Sequence, residues 1–539
     1  MSRRGTSIVQ GVQTAQQMSM SAMAAQDRQL REQRIAAATA RAIETADAIR
    51  NFRRNLSMGS GRLADDHDAA KADLLNHNGI FLGALGNTPI FANGDGPLLT
   101  YGRTRSGKGR DIILPNLAHV ANRSVVVCDV KDGENAYASW LHRFQKLGQD
   151  IVFVNPWKLN GLPNSRVNPC QRVIAVAAMG KQCTEEALEV ATFLLPKPKG
   201  NNGAAGEREE WTSGARDMIS TRIEYLAHYA PDHCNLAEVW KMANSSLDKI
   251  QKMYEDMAEC DAPHIAGRAG KFLRWLLDVP KQYEGYAGAL STALMPYQPG
   301  SELAEATSAT DFDFATLKHK LTTVYIMIPD EKLATRGDFV AMMFSIILST
   351  IARTRGAKKT LFILDEMANL PAMDIVPLTL RLYAGKGVQL WGFCQGRYSL
   401  QDAGYSEHTV KEFEDQANVL QLWGVEDPRL IDDVAKWSGK MTVQNISRSV
   451  SWGETPSSSI SSNEVVRDVL QPEDIRSTGD GQQILRIPGM PLFVASRIPW
   501  FDVRRYQNML RDVRKIADGT TDVERKVLEA HCVNGVVRH

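Results

Sequence analysis

Short apolar runs bounded by turn residues recur along the chain from about residue 79, and stretches with helical periodicity separate them. Several runs carry β-branched residues in succession instead of alternating with polar ones, which is typical of strands covered on both faces. This alternation of strands and helices predicts an α/β fold with a doubly wound, mainly parallel sheet. The predicted strands are Pro97–Tyr101, Ser124–Val130, Asp150–Asn155, Thr322–Ile328, Thr360–Leu364, Gln389–Cys394 and Val419–Trp423.

The long gap between the third and fourth predicted strands has a different texture. It contains helical stretches at Ala215–Tyr229, Leu236–Met257 and Lys271–Leu277, and no convincing strand. We therefore expect an all-α domain, residues 181–310, inserted between two parts of a nucleotide-binding domain, residues 79–180 and 311–510. A C-terminal helix or tail, residues 511–539, follows. The serine-rich stretch Ser447–Ser462 is expected to form a loop or a ribbon.

Residues 1–60 form a compositional zone of their own. Nine arginines face four acidic residues, and ten of the thirty residues from Ser21 to Arg50 are alanine. This composition predicts a basic helical tail, followed by a polar linker at residues 61–78. A solvated tail is favoured because an alanine-rich seam buries little area, and the alternative is an arm that pairs with a partner helix or lies on an anionic surface.

Composition excludes several classes of protein. The 539 residues hold 63 Lys or Arg and 62 Asp or Glu, so a net charge of +1 argues against a histone-like chain or a polyanionic tail. Seven scattered cysteines without a CxxC pair exclude a disulfide framework and disfavour a cysteine zinc site. The longest apolar run, Phe339–Ala352, is shorter than the roughly 20 residues that a membrane span needs and predicts a buried helix. With no signal sequence in the chain, a cytoplasmic location is expected.

The strongest chemical signal directly follows the first predicted strand. A glycine-bracketed turn leads to Lys108 at the start of a helical stretch, so that backbone N–H groups can surround a β-phosphate while the lysine reaches the β and γ oxygens. The position after the lysine is Gly109, where Ser or Thr usually holds Mg²⁺. The strand before and the helix after disfavour an incidental glycine turn. The predicted nucleotide-binding residues are Gly102, Arg103, Thr104, Arg105, Ser106, Gly107, Lys108, Gly109 and Arg110.

Further polar residues end other predicted strands. Asp365 and Glu366 follow Thr360–Leu364, which suits a metal ligand and a base that polarises the attacking water. Gln395 follows Gln389–Cys394 and could sense the γ-phosphate, and Asp129 should project into the same crevice. An ordinary solvated strand end is the alternative for each of them, and the phosphate-binding loop makes it less favoured for the Asp–Glu pair.

In this order the motifs resemble the type IV coupling proteins of conjugation and secretion, the TraG/TraD class. They are GRTRSGKG, SVVVCDVKDGENA, DIVFVNP with Val167-Asn168-Pro169, LFILDEMANL and GKGVQLWGFCQ, followed by PEDI near Glu473 and a closing RIPWF. The resemblance covers about residues 79–505 and implies a RecA-like ATPase with an inserted all-α domain. It also implies ring hexamers, DNA as the translocated polymer, and relaxase or effector proteins as cargo.

The resemblance also implies roles for single residues: Lys108 binds phosphate, Asp365 holds Mg²⁺, Glu366 activates water and Gln395 senses the nucleotide. A ring motor further needs a basic residue that reaches a neighbour's γ-phosphate, and Arg381 and Lys386 are the candidates. Two departures stand out. Asp132 interrupts the usual Lys-Gly-Glu run, and a basic tail replaces the usual N-terminal transmembrane helices. A soluble subclass, recruitment to the inner membrane by a partner, and a start site that omits the anchor are the open explanations.

The sequence therefore predicts an ATP- and Mg²⁺-dependent motor that moves single- or double-stranded DNA and recruits relaxosome or effector substrates to a type IV system. Two alternatives remain: a coupling ATPase for protein effectors without DNA translocation, and an assembly module in which the nucleotide only stabilises the ring.

Overall fold

The computed structural model describes residues 59–196, 203–451, 457–478 and 481–539, together with Gln29. The predicted basic tail falls outside the described residues except for Gln29, Gly59 and Ser60. Ser60 forms a β-bridge with Met441.

One large sheet forms the centre of the molecule. Within the described residues its order is β14-β15-β5-β6-β4-β7-β8-β3-β9-β12-β13-β1-β2, and β10 and β11 form a separate pair. The strands are β1 Ile80–Leu85, β2 Thr88–Ala92, β3 Leu98–Gly102, β4 Ser124–Asp129, β5 Asp150–Val154, β6 Thr322–Met327, β7 Thr360–Leu364, β8 Val388–Cys394, β9 Val419–Trp423, β10 Lys440–Ser451, β11 Ser457–Asp468, β12 Gln482–Arg486, β13 Phe493–Ser496, β14 Cys532–Val533 and β15 Val536–Val537.

The seven central strands, β5-β6-β4-β7-β8-β3-β9, are parallel, and they are the seven strands that the sequence predicted. Both faces of this sheet are covered. On β4, Val126 and Cys128 contribute to one hydrophobic cluster while Val125 and Val127 contribute to the other. The uninterrupted β-branched runs therefore reflect burial on two sides, as predicted. The α/β prediction is confirmed.

Antiparallel strands that the sequence analysis missed extend both edges of the parallel core. Beyond β9 lie β12, β13, β1 and β2, and beyond β5 lies β15, which pairs Val536 with Val152. The last strand places the C-terminal segment on the sheet, next to the helix Asp522–His531, so this segment is more than a tail. The two-residue strands β14 and β15 are too short to show a period.

Helices cover both faces of the sheet and fill the insertion. They are Asp66–Lys71, Leu114–His119, Glu134–Gln145, Gln171–Ala177, Thr184–Leu194, Gly203–Tyr229, Leu236–Ala243, Leu247–Ala258, Pro263–Asp278, Pro280–Leu294, Glu302–Ala306, Asp330–Arg353, Ile375–Leu382, Arg397–Asp402, Glu407–Gln416, Pro428–Trp437, Pro472–Ser477 and Asp522–His531. Between β5 and β6 the described residues form helices and loops without a strand, as the predicted all-α insertion requires.

The predicted buried helix around Phe339–Ala352 lies within the helix Asp330–Arg353. Among the described residues, this helix alone has the length and hydropathy for a membrane span, and 67% of its apolar window is buried. It packs on the sheet through residues such as Phe344, whose ring contacts Phe362 of β7. The helix therefore belongs to the core, as predicted.

Two polar segments are more ordered than their composition suggests. In the predicted linker, the helix Asp66–Lys71 is capped by Asp65, and Asp68 accepts hydrogen bonds from Arg62. In the serine-rich stretch, residues 447–451 and 457–462 belong to the ribbon of β10 and β11, which pairs twelve residues on each strand, so these residues adopt the ribbon among the two predicted alternatives.

Candidate nucleotide site

The phosphate-binding loop lies between β3 and a helical segment, as its motif requires. Gly107 has a φ of +96°, and a Cβ there would stand 2.4 Å from Oδ2 of Asp111. Gly102 is closed off by the indole of Trp423, whose ring would lie 2.6 Å from an added Cβ. Both glycines are therefore fixed by space or by backbone conformation. A π-helical turn, Lys108–Ile113, follows and continues into the helix Leu114–His119.

Lys108 is buried at the base of this loop. Its Nζ donates to the carbonyl oxygen of Gly102 at 2.9 Å and to Oε2 of Glu366 at 2.7 Å. The lysine predicted to bind phosphate and the carboxylate predicted to activate water are 258 positions apart in the sequence. They form one ion pair, in which both side chains are at least 93% buried.

Asp365 lies beside a second lysine. Its Oδ1 accepts from Nζ of Lys131 at 2.8 Å, and its Oδ2 accepts from Nδ2 of Asn135 at 3.0 Å. Burial is the largest single effect and lowers the pKa of Lys131, but the charge of Asp365, its hydrogen bond and the charges of two nearby glutamates together outweigh burial and raise the pKa overall. Lys131 is therefore fully charged at neutral pH.

Asp129, at the end of β4, reaches the same cluster through Asn135, whose amide donates to it at 3.1 Å. The backbone N–H of Ala136 donates to its other oxygen at 2.8 Å. Burial raises the pKa of Asp129 to about 7, against the opposing effect of these hydrogen bonds. Asp129 thus lies at the edge of the sheet where the site residues meet, but its side chain is fully buried, and its projection into the crevice stays a prediction.

Glu366 has two unusual features. Its φ is +69°, a left-handed conformation that non-glycine residues seldom adopt. Its Oε1 is buried and has no hydrogen-bond partner. Backbone strain and an unpaired buried oxygen in one residue are typical of a functional site, because both cost stability.

Gln395 emerges between the two halves of the site. It directly follows β8, which lies between β3 and β7, and its side chain is exposed. Since the carboxyl ends of parallel strands meet at one edge of a sheet, the phosphate-binding loop, Gln395 and the Asp365–Glu366 pair lie side by side at this edge.

The remaining loop residues face outward. Arg103, Thr104, Arg105 and Arg110 are exposed. Arg103 pairs with Glu426 at 3.0 Å, and Arg110 donates to Asp111 at 2.9 Å from Nη2. Arg105 has a φ of +58°.

The two candidates for the contact with a neighbouring subunit lie outside this chain's own site. Arg381 is exposed on the helix Ile375–Leu382 and donates to both carboxylate oxygens of Glu412. Lys386 precedes β8, at the amino edge of the sheet, with its ammonium group 5.0 Å from the Tyr383 ring centre. Neither residue contacts Lys108, Asp365 or Glu366, so their predicted role depends on a second subunit.

Sequence reasoning gave no role in the site to four residues that contact it: Lys131, Asn135, Trp423 and Arg497. The first two stand in the KDGENA run directly after β4, so their place at a strand end was a usable signal. Trp423 and Arg497 become neighbours only through the pairing of β9 with β12 and of β12 with β13. Local sequence does not encode that proximity.

The residues present fit ATP and Mg²⁺. A Cβ at Gly109 would meet nothing within 4 Å, so there is open space where the usual hydroxyl would stand. Asp365 supplies the carboxylate oxygens that Mg²⁺ prefers, and Lys108 supplies the charge for phosphate.

Comparisons with known proteins agree with this geometry. A family model described as Type IV secretory system Conjugative DNA transfer matches residues 62–522. The protein VirD4 of Rhizobium radiobacter is 23% identical over 498 residues, which cover 87% of this chain and 68% of VirD4. The conjugal transfer protein TraG of Escherichia coli is 22% identical over 389 residues, which cover 64% of this chain and 59% of TraG. The chain thus spans about two thirds of the length of such relatives.

The solved plasmid coupling protein TrwB in complex with ADP and Mg²⁺ superposes with a TM-score of 0.59 at 14% identity, covering 83% of this chain and 94% of that one. At this identity the likeness shows a common fold. The family model, by contrast, matches well over half of the chain, and the chain therefore belongs to the type IV secretory system conjugative DNA transfer family.

Proposed function

We propose that the chain is an ATP-driven coupling motor that translocates DNA and delivers DNA–relaxase or effector substrates to a type IV secretion system. The observation that carries this proposal is the Lys108–Glu366 ion pair at 2.7 Å, with Asp365 next in sequence. It joins a phosphate-binding loop to the two carboxylates that ATP hydrolysis needs, in a chain of the conjugative transfer family.

The chain's residues divide the chemistry as follows. ATP and Mg²⁺, when bound, supply the scissile phosphoanhydride and neutralise phosphate charge. Lys108 and the loop amides hold the β and γ oxygens. Asp365 would hold the metal, and Asn135 orients that carboxylate through the bond at 3.0 Å. The free Oε1 of Glu366 accepts a proton from the attacking water, and Gln395 donates to the γ-phosphate or to that water.

Hydrolysis requires a rearrangement of the ion pair at Lys108. In the structure Glu366 neutralises the lysine that must hold phosphate. Phosphate oxygens replace Glu366 as partners of Lys108, and the carboxylate is released to face the water. Glu366 and phosphate thus compete for Lys108, so the position of the Glu366 carboxylate depends on whether nucleotide occupies the loop.

A homohexameric ring is part of the proposal. Arg381 or Lys386 of one subunit would reach the γ-phosphate held by its neighbour and stabilise the charge that develops there. The further partners are single- or double-stranded DNA, relaxosome or effector proteins, and components of the secretion channel, with attachment at the inner membrane through those partners.

The test is steady-state ATP hydrolysis with and without single- and double-stranded DNA. Wild type, Lys108→Ala and Glu366→Gln are compared with the matched control Lys320→Ala. Lys320 also pairs with a buried carboxylate, Asp150, at 2.7 Å, but at the amino edge of the sheet. DNA stimulation that is lost in the first two variants and retained in the control is expected.

Two other outcomes would change the proposal. Hydrolysis that DNA does not affect would favour protein effectors as the cargo. Absence of hydrolysis in wild type, at concentrations where rings form by native mass spectrometry, would contradict the motor and favour a nucleotide-stabilised assembly module.

A further inference from the structure

The backbone carbonyls of the phosphate-binding loop need donors of their own. For the loop N–H groups to converge on a phosphate, the carbonyl groups must point the other way, into the protein. A buried carbonyl without a partner costs free energy. The carbonyl of Gly102 accepts from Lys108, and that of Arg103 accepts from the hydroxyl of Ser106 at 2.5 Å.

The carbonyl of Ser106 accepts from a residue far away in the sequence. Nη1 of Arg497, which directly follows β13, lies 2.5 Å from it. The same Nη1 lies 2.9 Å from Oδ2 of Asp111, and Nε donates to the carbonyl of Gln482 at 3.2 Å. The Arg497 and Asp111 side chains are each 1% exposed. Arg497 opens the RIPWF run, to which the proposed chemistry gives no role.

These contacts hold the loop on both sides of Gly107, at Ser106 and at Asp111. Asp111 lies where any side chain at position 107 would have to go, and Ser106 is the residue before it. The guanidinium also stacks on Trp423, 4.5 Å from its ring centre. The indole N–H of Trp423 donates to the Ser106 hydroxyl at 2.8 Å, and its ring closes off Gly102. Arg497 thus contacts the Ser106 end of the loop directly and reaches the Gly102 end through the Trp423 ring.

A lysine could make only part of this arrangement. Its ammonium group could donate to the Ser106 carbonyl and to Asp111, but it lacks the Nε donor that reaches Gln482 and the planar group that lies on the Trp423 ring. A buried cation is also costly unless it is fully paired. At Arg497 the loop carbonyl and Asp111 supply part of that pairing.

We propose that Arg497 is a positioning residue for the nucleotide loop: it fixes the Ser106 carbonyl so that the loop amides face the phosphate before ATP arrives. The inference rests on the proposed function. It predicts that loss of Arg497 weakens nucleotide binding and leaves the chemical step nearly unchanged, because Arg497 does not touch Glu366 or Asp365.

The experiment measures the Kd for a fluorescent ATP analogue and the kcat and KM for ATP, on the full chain with Mg²⁺. Arg497→Met and Arg497→Lys are compared with two controls. Arg486→Met removes an arginine that also stacks on a tryptophan, Trp437, at 4.5 Å, but away from the loop. Leu485→Ala creates a cavity in the buried β12 core and lowers stability without touching the loop.

Loss of the charge-assisted bonds should raise Kd and KM by about tenfold or more in Arg497→Met, with kcat within about threefold of wild type. Both controls should stay within about twofold of wild type in Kd, since distant sites act independently. Hydrogen exchange without nucleotide should rise at residues 103–110 in Arg497→Lys and stay unchanged in β6, on the other side of the sheet, which tests the inference even if Arg497→Met does not fold.

Two results would overturn the inference. Unchanged Kd and loop exchange in Arg497→Lys would do so, and so would a rise in Kd no larger than that of Leu485→Ala. Both would leave the proposed motor standing, because wild type would still bind and hydrolyse ATP. A wild-type chain that binds no nucleotide would refute the motor together with this inference.

Discussion

Glu366→Gln is expected to bind ATP more tightly than the wild-type protein, although it should not hydrolyse it. The reason is the ion pair that nucleotide has to break. In the structure Oε2 of Glu366 lies 2.7 Å from Nζ of Lys108, and both side chains are buried. Glutamine has nearly the same shape but carries no charge, so its amide oxygen competes less well with phosphate for the lysine.

The size of the effect follows from the strength of that contact. A hydrogen bond to a charged group contributes about 1.5–3 kcal/mol, and charge assistance roughly doubles the strength of a neutral bond. Replacing the carboxylate with an amide therefore weakens the contact that ATP must displace from Lys108 by about 1.5 kcal/mol. This difference corresponds to a Kd about tenfold lower.

The assay is equilibrium titration with a non-hydrolysable ATP analogue and Mg²⁺, so that hydrolysis does not affect the reading. Glu189→Gln is the control, because Glu189 pairs with Arg353, far from the loop, and its loss should leave Kd unchanged. Lys108→Met tests whether the tighter binding depends on the ion pair. In that background Glu366→Gln should give much less tightening, since any remainder reports repulsion between Glu366 and phosphate. Equal or weaker binding by Glu366→Gln in the wild-type background would refute the reasoning.

Three further results are expected. Gly107→Ala should lose ATP binding and about 1–3 kcal/mol of stability, because the φ of Gly107 is +96° and an added Cβ would meet Asp111. Gly109→Ser should bind ATP like wild type, because the space beside Gly109 is open. A thermal-shift titration with ATP compares the two variants, and equal behaviour would contradict the loop geometry. Arg381→Ala should abolish hydrolysis and retain nucleotide binding; retained hydrolysis would remove Arg381 as the residue that reaches a neighbour's phosphate. The raised pKa of Asp129, about 7 when folded against an ordinary 3.8, means that its contribution to stability is present below pH 4 and is lost as pH rises through 7. The Tm of Asp129→Asn relative to wild type should therefore increase from pH 5 to pH 8, and a constant difference would rule out that titration.

Strand prediction succeeded where burial alone decides the pattern. All seven parallel strands appear within two residues of their predicted bounds, because strands covered on both faces are mostly apolar along their length. The edge strands were missed for the opposite reason. Strands such as β12 and β15 are short or only partly buried, and their place in the sheet depends on which neighbour they pair with.

The phosphate-binding loop could also be located from the sequence, because glycine spacing and a lysine at a helix start are local requirements of phosphate binding. The positions of Asp365, Glu366 and Gln395 followed from a rule of equal generality, that parallel strands deliver their carboxyl ends to one edge. The residues that these side chains contact could not be predicted from such a rule. That Lys108 meets Glu366 and Lys131 meets Asp365 depends on the order in which β3, β8, β7 and β4 lie side by side.

The sequence by itself determined the α/β class, the parallel core, the helical insertion and the places of the predicted phosphate-binding loop and strand-end carboxylates, because each depends on a local pattern of burial or spacing. Only the tertiary structure decided which charges neutralise one another and what supports the loop. Arg497 and Ser106 are 391 positions apart, and they come together only because β13 joins the sheet through β12, next to the loop's own strands. Long-range pairing in a sheet is a property of the whole fold, and for that reason no local signal in the sequence could reveal this contact.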